Sequence, residues 1–284
     1  MTHAAAAEDG PDVALSDDQL GQVTQLIYRW TGMMFARGKR YYIERRVAER
    51  IRRRGCPDAR GYLALLGIDA GERETLINAF TINETYFFRE AHQLAALSGA
   101  ILPDIVSRKR PGDLVRIWSV PCSTGDEAYS IAIWLLERWP WVDAYNVEII
   151  GSDIDTAALD AARAGRFAAR ALGRLPPHMV ESYFEAERHH RRRIIDDLRQ
   201  SVRFTPANLC DAASLEGLGR FDVVFCRNVL IYFDDASRLL AARNLHDRLV
   251  PGGYLCLGHS ESMGRISDSF TMVRLDDAIV YRRA

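Results

Sequence analysis

Cysteine is scarce in this 284-residue chain: Cys56, Cys122, Cys210, Cys226 and Cys256 are odd in number, scattered, and contain no CxxC pair. That spacing gives no disulfide framework and reads as reduced, buried thiols of a cytoplasmic protein. Long apolar runs are lacking as well. None approaches the roughly 18–20 residues that a membrane helix needs, so no direct membrane insertion is expected. The first fourteen residues, MTHAAAAEDGPDVA, have no positive start, and their alanine run stops at Glu8-Asp9-Gly10. They read as a disordered N-terminus, 1–14, rather than a secretory signal. The seven histidines show no ligand spacing, and the adjacent His189-His190 suits a solvated turn, so no metal is expected. With a formal net charge of −1 there is no overall reason to expect nucleic acid as a partner.

What is present falls into two patterns. From residue 15 to about 90 the spacing is helical. Ser16 with Gln19 forms a capping box, Leu20, Val23, Ile27 and Trp30 recur at helical intervals, and Gly32 offers a stop. Further helices are predicted over about 39–54, 58–66 and 72–80, making an all-helical N-terminal domain, 15–90. From 91 to 284 a helix at about 91–107 leads into alternating apolar runs and helices. The runs are 114–120, 147–151, 202–205, 221–226 and 254–258; the helices lie near 126–138, 156–164 and 235–249. That alternation predicts an α/β domain with a Rossmann-like parallel sheet covered on both faces. A terminal hairpin is expected from 270–275 and 278–282. Between about 174 and 200, Pro176-Pro177 opens a short helix, and 185–188 with 192–196 are predicted to pair as a small inserted β-subdomain.

Ligands of open parallel sheets bind at the carboxyl ends of the strands, near the reversal of strand order. The first such loop is SVPCSTGDEAYS, 119–130. Ser123, Thr124 and Gly125 allow a ligand close to the backbone at a helix N-terminus. Asp126 and Glu127 would repel a pyrophosphate and attract a cation, although both also favour the helix dipole. The second strand ends in GSDID, where Asp153 or Asp155 is placed for ribose hydroxyls and one of them for capping the next helix. Asn208 can bond an adenine edge while Leu209 covers its face. Arg227, Asn228 and Tyr232 follow the fourth strand. An adenosine with a cationic tail fits this set better than a dinucleotide. In TINETYFFRE, 81–90, Phe87 and Phe88 are expected to anchor the domain interface, with Asn83, Glu84, Thr85 and Arg89 lining the cleft. On the helix at 39–54, Ile43, Val47 and Ile51 form a buried stripe. Lys39, Arg46, Arg50 and Arg53 fall beside it. Such a charge run is ordinarily a solvated face, but a narrow arc of cations next to an apolar seam also suits docking to an acidic surface.

These residues resemble the bacterial chemotaxis receptor methyltransferases, the CheR family, from about residue 17 to the end. NETYFFRE, STGDEAYSIAI, SDID, ANL, FCRNVLIYF and GHSE stand in the family's order and at similar spacing. The resemblance implies transfer of the methyl group of S-adenosylmethionine to glutamate carboxylates of receptor signalling domains, leaving S-adenosylhomocysteine. It implies cofactor contacts at Asn83, Thr85, Arg89, Gly125, Glu127, Asp153, Asn208, Leu209, Arg227 and Asn228, with Arg89 and Tyr232 as the catalytic pair. It implies a receptor-facing helix carrying Arg40, Arg46, Arg50 and Arg53. The family's common Glu-Glu-Pro run is Asp126-Glu127-Ala128 here, which keeps the charge. Members that grip a receptor tether carry glycines in the inserted hairpin's turn; this chain has Arg188-His189-His190-Arg191, so tether binding is expected to be absent or altered. The rival readings are a non-catalytic S-adenosylmethionine-sensing module, and a methyltransferase for another protein, an RNA or a small molecule. Retention of Tyr232 and Arg89 argues against the first. Asn228-Val229-Leu230-Ile231, in place of Asn/Asp-Pro-Pro-Tyr, argues against amine methylation. A monomer is expected.

Overall fold

The structure, a computed structural model, describes residues 14–35 and 37–284, so the tail expected to be disordered lies outside the described residues save for Ala14. The chain divides into two compact units, one ending at Thr81 and the other spanning Ile82–Ala284. No helix among the described residues is long and apolar enough to cross a membrane.

The first unit is four helices: α1 (Asp17–Thr31), α2 (Arg40–Arg54), α3 (Ala59–Ile68) and α4 (Ala70–Phe80). The capping box at Ser16 and Gln19 starts α1, and Gly32, at φ 74°, ends it. Asp58 and Asp69 accept the backbone N–H of the third residue of the following helix, Gly61 and Glu72 respectively, satisfying a donor that the first turn leaves open. Ile43, Val47 and Ile51 form the buried stripe of α2, as their spacing predicts. Beside it Arg50 reaches inward. Its Nε and Nη2 donate to the two carboxylate oxygens of Glu72 at 2.9 and 2.7 Å, and the Tyr62 hydroxyl donates to the same carboxylate at 2.7 Å.

The second unit opens with α5 (Ala91–Ala96), a π-helical turn (Leu97–Ile101) and α6 (Leu102–Val106), where the sequence predicts one helix. The strands are β1 (Leu114–Ser119), β2 (Asn146–Asp153), β3 (Arg166–Ala168), β4 (Arg191–Arg193), β5 (Val202–Pro206), β6 (Phe221–Cys226), β7 (Leu249–Leu257), β8 (Phe270–Arg274) and β9 (Ile279–Arg283). The intervening helices are α7 (Asp126–Arg138), α8 (Thr156–Ala164), α9 (Ala169–Leu172), α10 (Pro177–Tyr183), α11 (Asp196–Ser201) and α12 (Asp235–Arg248). Seven strands form one sheet in the order β5-β2-β1-β6-β7-β9-β8. The pairs β5/β2, β2/β1, β1/β6 and β6/β7 are parallel, while β9 runs antiparallel between β7 and β8. Central β6 is buried at every residue, as expected of a parallel strand covered on both faces.

Residues 82–90, grouped with the helices in the sequence reading, belong to the second unit. The Phe87 N–H donates to Ala171 O, and the Phe88 N–H donates to Ser130 Oγ. Phe87 packs edge-on against Phe167 and Phe184, and Phe88 against Trp134. Both rings expected to anchor an interface are thus part of this unit's own core. The inserted subdomain also differs from expectation: β4 pairs with β3, whereas the predicted pairing within 185–196 is reduced to single bridges at Phe184/Ile194 and Arg188/Arg191. Burial of Phe167, Phe184 and Ile194 fixes that arrangement. Three residues of β3 are too few to show alternation in sequence. His189 and His190, at φ 51° and 60°, close a two-residue hairpin turn without glycine.

The Glu72 carboxylate generates a prediction. Burial works to raise its pKa, and the bonds from Arg50 and Tyr62 more than offset this, leaving it below the usual carboxylate value. Its contribution to stability is therefore present above the unfolded pKa and lost as pH falls through the lowered folded value. Glu72→Ala leaves a cation and a hydroxyl buried without their acceptor, and should cost about 3–5 kcal/mol in urea unfolding at neutral pH. The difference from wild type should shrink under acidic conditions; an equal loss at every pH would contradict the ionic assignment.

Candidate active site

The chain lays down β1, β2 and β5 outward in one direction and then crosses to place β6 and β7 on the other side of β1. The strand order therefore reverses between β1 and β6, and their carboxyl ends flank the crevice in which open sheets bind ligands. Four loops meet there: 82–90, 120–125 after β1, 154–155 after β2, and 227–229 after β6. Among the described residues, left-handed backbone in non-glycine residues occurs at Phe88, Glu90, Ser123 and Asn228, and otherwise only at the two hairpin histidines. Such conformations persist where surrounding contacts over-determine them, and they cluster at functional sites.

The contacts in question form three networks. In the first, the Ser123 N–H donates to Asp153 Oδ2 at 2.7 Å and the Asp155 N–H to Asp153 Oδ1 at 2.9 Å. Burial, with the neighbouring Asp155 charge adding to it, pushes the Asp153 carboxyl up to about 6 despite those N–H bonds. Asp155 Oδ1 caps α8 by accepting from the Ala158 N–H, and its Oδ2 accepts from Asn83 Nδ2 at 2.7 Å. Asn83 Oδ1 in turn accepts from the Ser123 hydroxyl at 2.8 Å. The alternatives at the end of β2 are thus resolved: Asp155 is the cap, and Asp153 faces the loop after β1.

The second network surrounds Arg227, whose side chain is 3% exposed. Its Nη1 donates to Glu127 at 2.9 Å; its Nη2 donates to Arg89 O at 2.8 Å and lies 3.2 Å from Glu90. The other Glu127 oxygen accepts from the Ser119 hydroxyl at 2.7 Å. Glu90 also accepts from Gln93 and pairs with His259 Nδ1 at 2.8 Å. Burial acts to raise the Glu90 pKa, but Arg227 and His259 hold it below the usual range. Neither acid after β1 is an open anionic patch, contrary to the reading of Asp126 and Glu127 as attracting a cation together. Asp126 is buried, accepts from the Thr124 hydroxyl at 2.6 Å, and has its pKa raised by burial. Glu127 is neutralised by Arg227.

The third network is a clamp at Glu261. Its carboxylate accepts four backbone N–H bonds, from Asn228, Val229, Leu230 and Gly258, at 2.8–3.0 Å. It fixes the loop after β6 to the loop after β7, and with it the turn Leu230–Tyr232 that carries half-buried Tyr232. Glycine is required at 258, because a Cβ there would lie 2.7 Å from Asn228 Nδ2 and 2.8 Å from Glu261.

The remaining expected site residues have plainer placements. Arg89 folds back to donate to Glu84 O at 2.8 Å beside the Tyr86 ring, and Thr85 is half-buried in the same loop. Gly125, at φ 90°, lacks room for a Cβ against Ala162, Phe204 and Tyr129, so packing already demands glycine there. After β5, Asn208 Oδ1 accepts the Cys210 N–H, and buried Leu209 has its carbonyl held by Asn244. The four α2 arginines expected to face the receptor all have partners within the first unit. Arg50 is committed to Glu72, Arg46 Nε donates to Ala79 O, Arg40 pairs with Asp17 and Glu44, and Arg53 pairs with Glu49. Arg53 remains 66% exposed and Arg50 only 13%, so the stripe is not one uniform cationic face. Sequence reasoning assigned no role to Glu90, His259 or Glu261, although NETYFFRE and GHSE contain all three.

The clamp gives the second prediction. Glu261→Ala strips an acceptor from four backbone donors and should lower unfolding free energy by at least about 2 kcal/mol. Chemical denaturation checks the size, and hydrogen exchange should locate the loosening in 227–232. Unchanged exchange in that loop would show that the clamp is dispensable.

Known proteins resemble the chain along nearly its whole length. The description "CheR methyltransferase, all-alpha domain" matches residues 18–81, and "CheR methyltransferase, SAM binding domain" matches 83–279. Chemotaxis protein methyltransferase 2 of Vibrio cholerae is 46% identical over 272 residues, covering 95% of this chain and 94% of that protein. The chemotaxis protein methyltransferase of Escherichia coli is 36% identical, covering 92% and 90% respectively. A solved N-methyltransferase, NodS from Bradyrhizobium japonicum in complex with S-adenosylhomocysteine, is 15% identical, with a TM-score of 0.37 and coverage of 72% and 92%. With both family descriptions matched in order along nearly its whole length, the chain belongs to the CheR methyltransferase family and is an S-adenosylmethionine-dependent methyltransferase.

Proposed function

We propose that this enzyme methylates glutamate side-chain carboxylates in the cytoplasmic signalling domains of chemotaxis receptors, working as a cytoplasmic monomer without nucleic acid. The helical domain, ending at Thr81, would face the receptor and the domain from Ile82 onward, with its insertion at about 174–200, would hold the cofactor. One observation carries the choice of a carboxylate acceptor: among the described residues the buried thiols and acids of the site are unavailable to remove a proton, and the Nδ1 of His259 is taken up by Glu90. Burial drives the thiols of Cys122 and Cys226 well above their ordinary range. Both oxygens of Asp153 accept backbone N–H groups, and Glu127 is held by Arg227 and Ser119. An amine must shed a proton before it attacks, whereas a glutamate is already ionised near neutral pH.

The donor set fits the cofactor. The Asp153 carboxylate, with three backbone N–H groups bonded to it, keeps a lone pair for a ribose hydroxyl, Asn208 and Leu209 suit an adenine edge and face, and Asn83, Thr85, Gly125, Glu127, Arg227 and Asn228 line the remainder. When bound, the cofactor supplies a sulfonium methyl open to in-line attack. The protein's part is positioning, which in favourable cases supplies on the order of 7–11 kcal/mol. Arg89 orients a carboxylate, and the Tyr232 hydroxyl places the attacking oxygen. For the receptor face, exposed Arg53 with Arg40 and Arg46 suit an acidic surface; Arg50 serves it indirectly by holding α2 to α4. The glycine-free turn at His189-His190 supports absent or altered binding of a receptor tether.

Labelled methyl should pass from S-adenosylmethionine to a receptor signalling-domain protein, be released by mild base, and disappear with a Glu→Ala receptor. Tyr232→Phe and Arg89→Ala should each lower kcat by about tenfold or more. Full rates in both, with cofactor affinity intact, would remove these two residues from the mechanism.

Asp153 supplies a pH test. Its folded pKa of about 6 lies above the unfolded value, so the carboxylate needed to accept ribose hydroxyls is lost as pH falls through that value. S-adenosylhomocysteine should bind several-fold more weakly at about pH 5 than at about pH 7.5, and Asp153→Asn should bind weakly at both. A pH-independent wild-type affinity would exclude this role.

A further inference from the structure

The nucleoside half of the site is built at the ends of β1, β2 and β5. At the ends of β6 and β7 lies a separate cavity of about 540 Å³, lined chiefly by Leu230, Ile231, Arg238, Glu261, Arg265 and Ile266. That volume is in the range of ligand pockets. The cavity shares two elements with the candidate active site. Ile231 and Tyr232 are neighbours on one turn, and Glu261, in the cavity wall, fixes that turn by its four backbone bonds.

Two acids, Asp235 and Glu261, and two arginines, Arg238 and Arg265, stand in the wall. Glu261 is spent on backbone N–H groups. Arg238 donates to Leu230 O at 3.0 Å and to Asp235 at 3.2 Å, so each of those two ions answers the other. Arg265 is exposed on the turn Met263–Arg265 and has no hydrogen-bond or ion-pair partner among the described residues. The formal charges balance, and Arg265 is the ion of the wall left without a partner among the described residues. Beside it Ile231 is 46% exposed, a branched apolar side chain left in water at the cavity mouth.

We propose that this cavity is a subsite for the substrate segment flanking the methylated carboxylate, seating an apolar side chain against Ile231 and Ile266 and a second acidic side chain against Arg265. The inference rests on the acidic protein substrate proposed above and names what recognises it. A wall that sets the aliphatic Leu230, Ile231, Leu239 and Ile266 among serines, engaged ions and one free guanidinium suits an amphipathic acidic helix, which presents apolar and acidic side chains within one turn. Arg265 and Ile231 act here on substrate affinity and take no part in the transfer itself.

The test is steady-state methylation of a receptor signalling-domain fragment by full-length wild type, Arg265→Glu and Ile231→Ser, with S-adenosylhomocysteine affinity measured alongside. Both side chains are exposed, so the variants should fold, and retained affinity for the product will establish this. KM for the receptor fragment should rise about fivefold or more in each, with kcat and product affinity within about twofold. Added salt should raise the wild-type KM more steeply than that of Arg265→Glu. An unchanged KM, or a KM that rises only together with lost product affinity, overturns the subsite while leaving the proposed reaction standing. If wild type transfers no base-labile methyl to the fragment, the acceptor assignment fails first and the subsite falls with it.

Discussion

A guanidinium buried at the point where a parallel sheet reverses its strand order is the constraint on which the rest of this site depends. Arg227 cannot leave its position without exposing Glu127 and Glu90 to each other in a poorly solvated crevice, and neither acid can be removed without leaving the cation uncompensated. Such a cluster adds little net stability over an apolar replacement, because each ion was first taken out of water. What it supplies is geometry. It ties the start of α7, the backbone at Arg89 and the end of β6 to one planar fork, so three loops that are distant in sequence share one position.

Around that fork the loops hold conformations they would not adopt alone. Ser123 and Asn228 sit in the left-handed region because their N–H groups are claimed by Asp153 and Glu261. The strain and the polar bonds are two descriptions of one arrangement: acceptors placed by the sheet dictate the path of the chain between strands. The outcome is a crevice whose acids are nearly all engaged before any ligand arrives, which suits a reaction driven by placement more than by proton transfer.

Much of this was legible in the sequence. Capping residues and hydrophobic periods locate α1 to α4, and α7, β6 and α12 lie within a residue of where the apolar pattern puts them. These signals are local, depending only on neighbours within about one helical turn or one strand. The crevice itself was legible because parallel strands deliver their loops to one edge, so motifs at strand ends had to converge. Less legible were β3, too short to show a period, and the allegiance of Phe87 and Phe88, which periodicity cannot assign to one core over another.

The sequence by itself determined the fold class, the family, the order of the elements and the residue types brought to the crevice, because local propensity and strand alternation leave few topologies. Only the tertiary structure decided which charges are free. Arg50 and Arg265 are the same residue type on helical segments, yet one is sealed against Glu72 and the other stands open beside a cavity. The same holds for Asp153 against Asp155, and for Glu127 against the open anionic patch its position implied. Solvation and pairing of an ionisable group depend on neighbours from distant parts of the chain, and no local pattern encodes which of them will arrive.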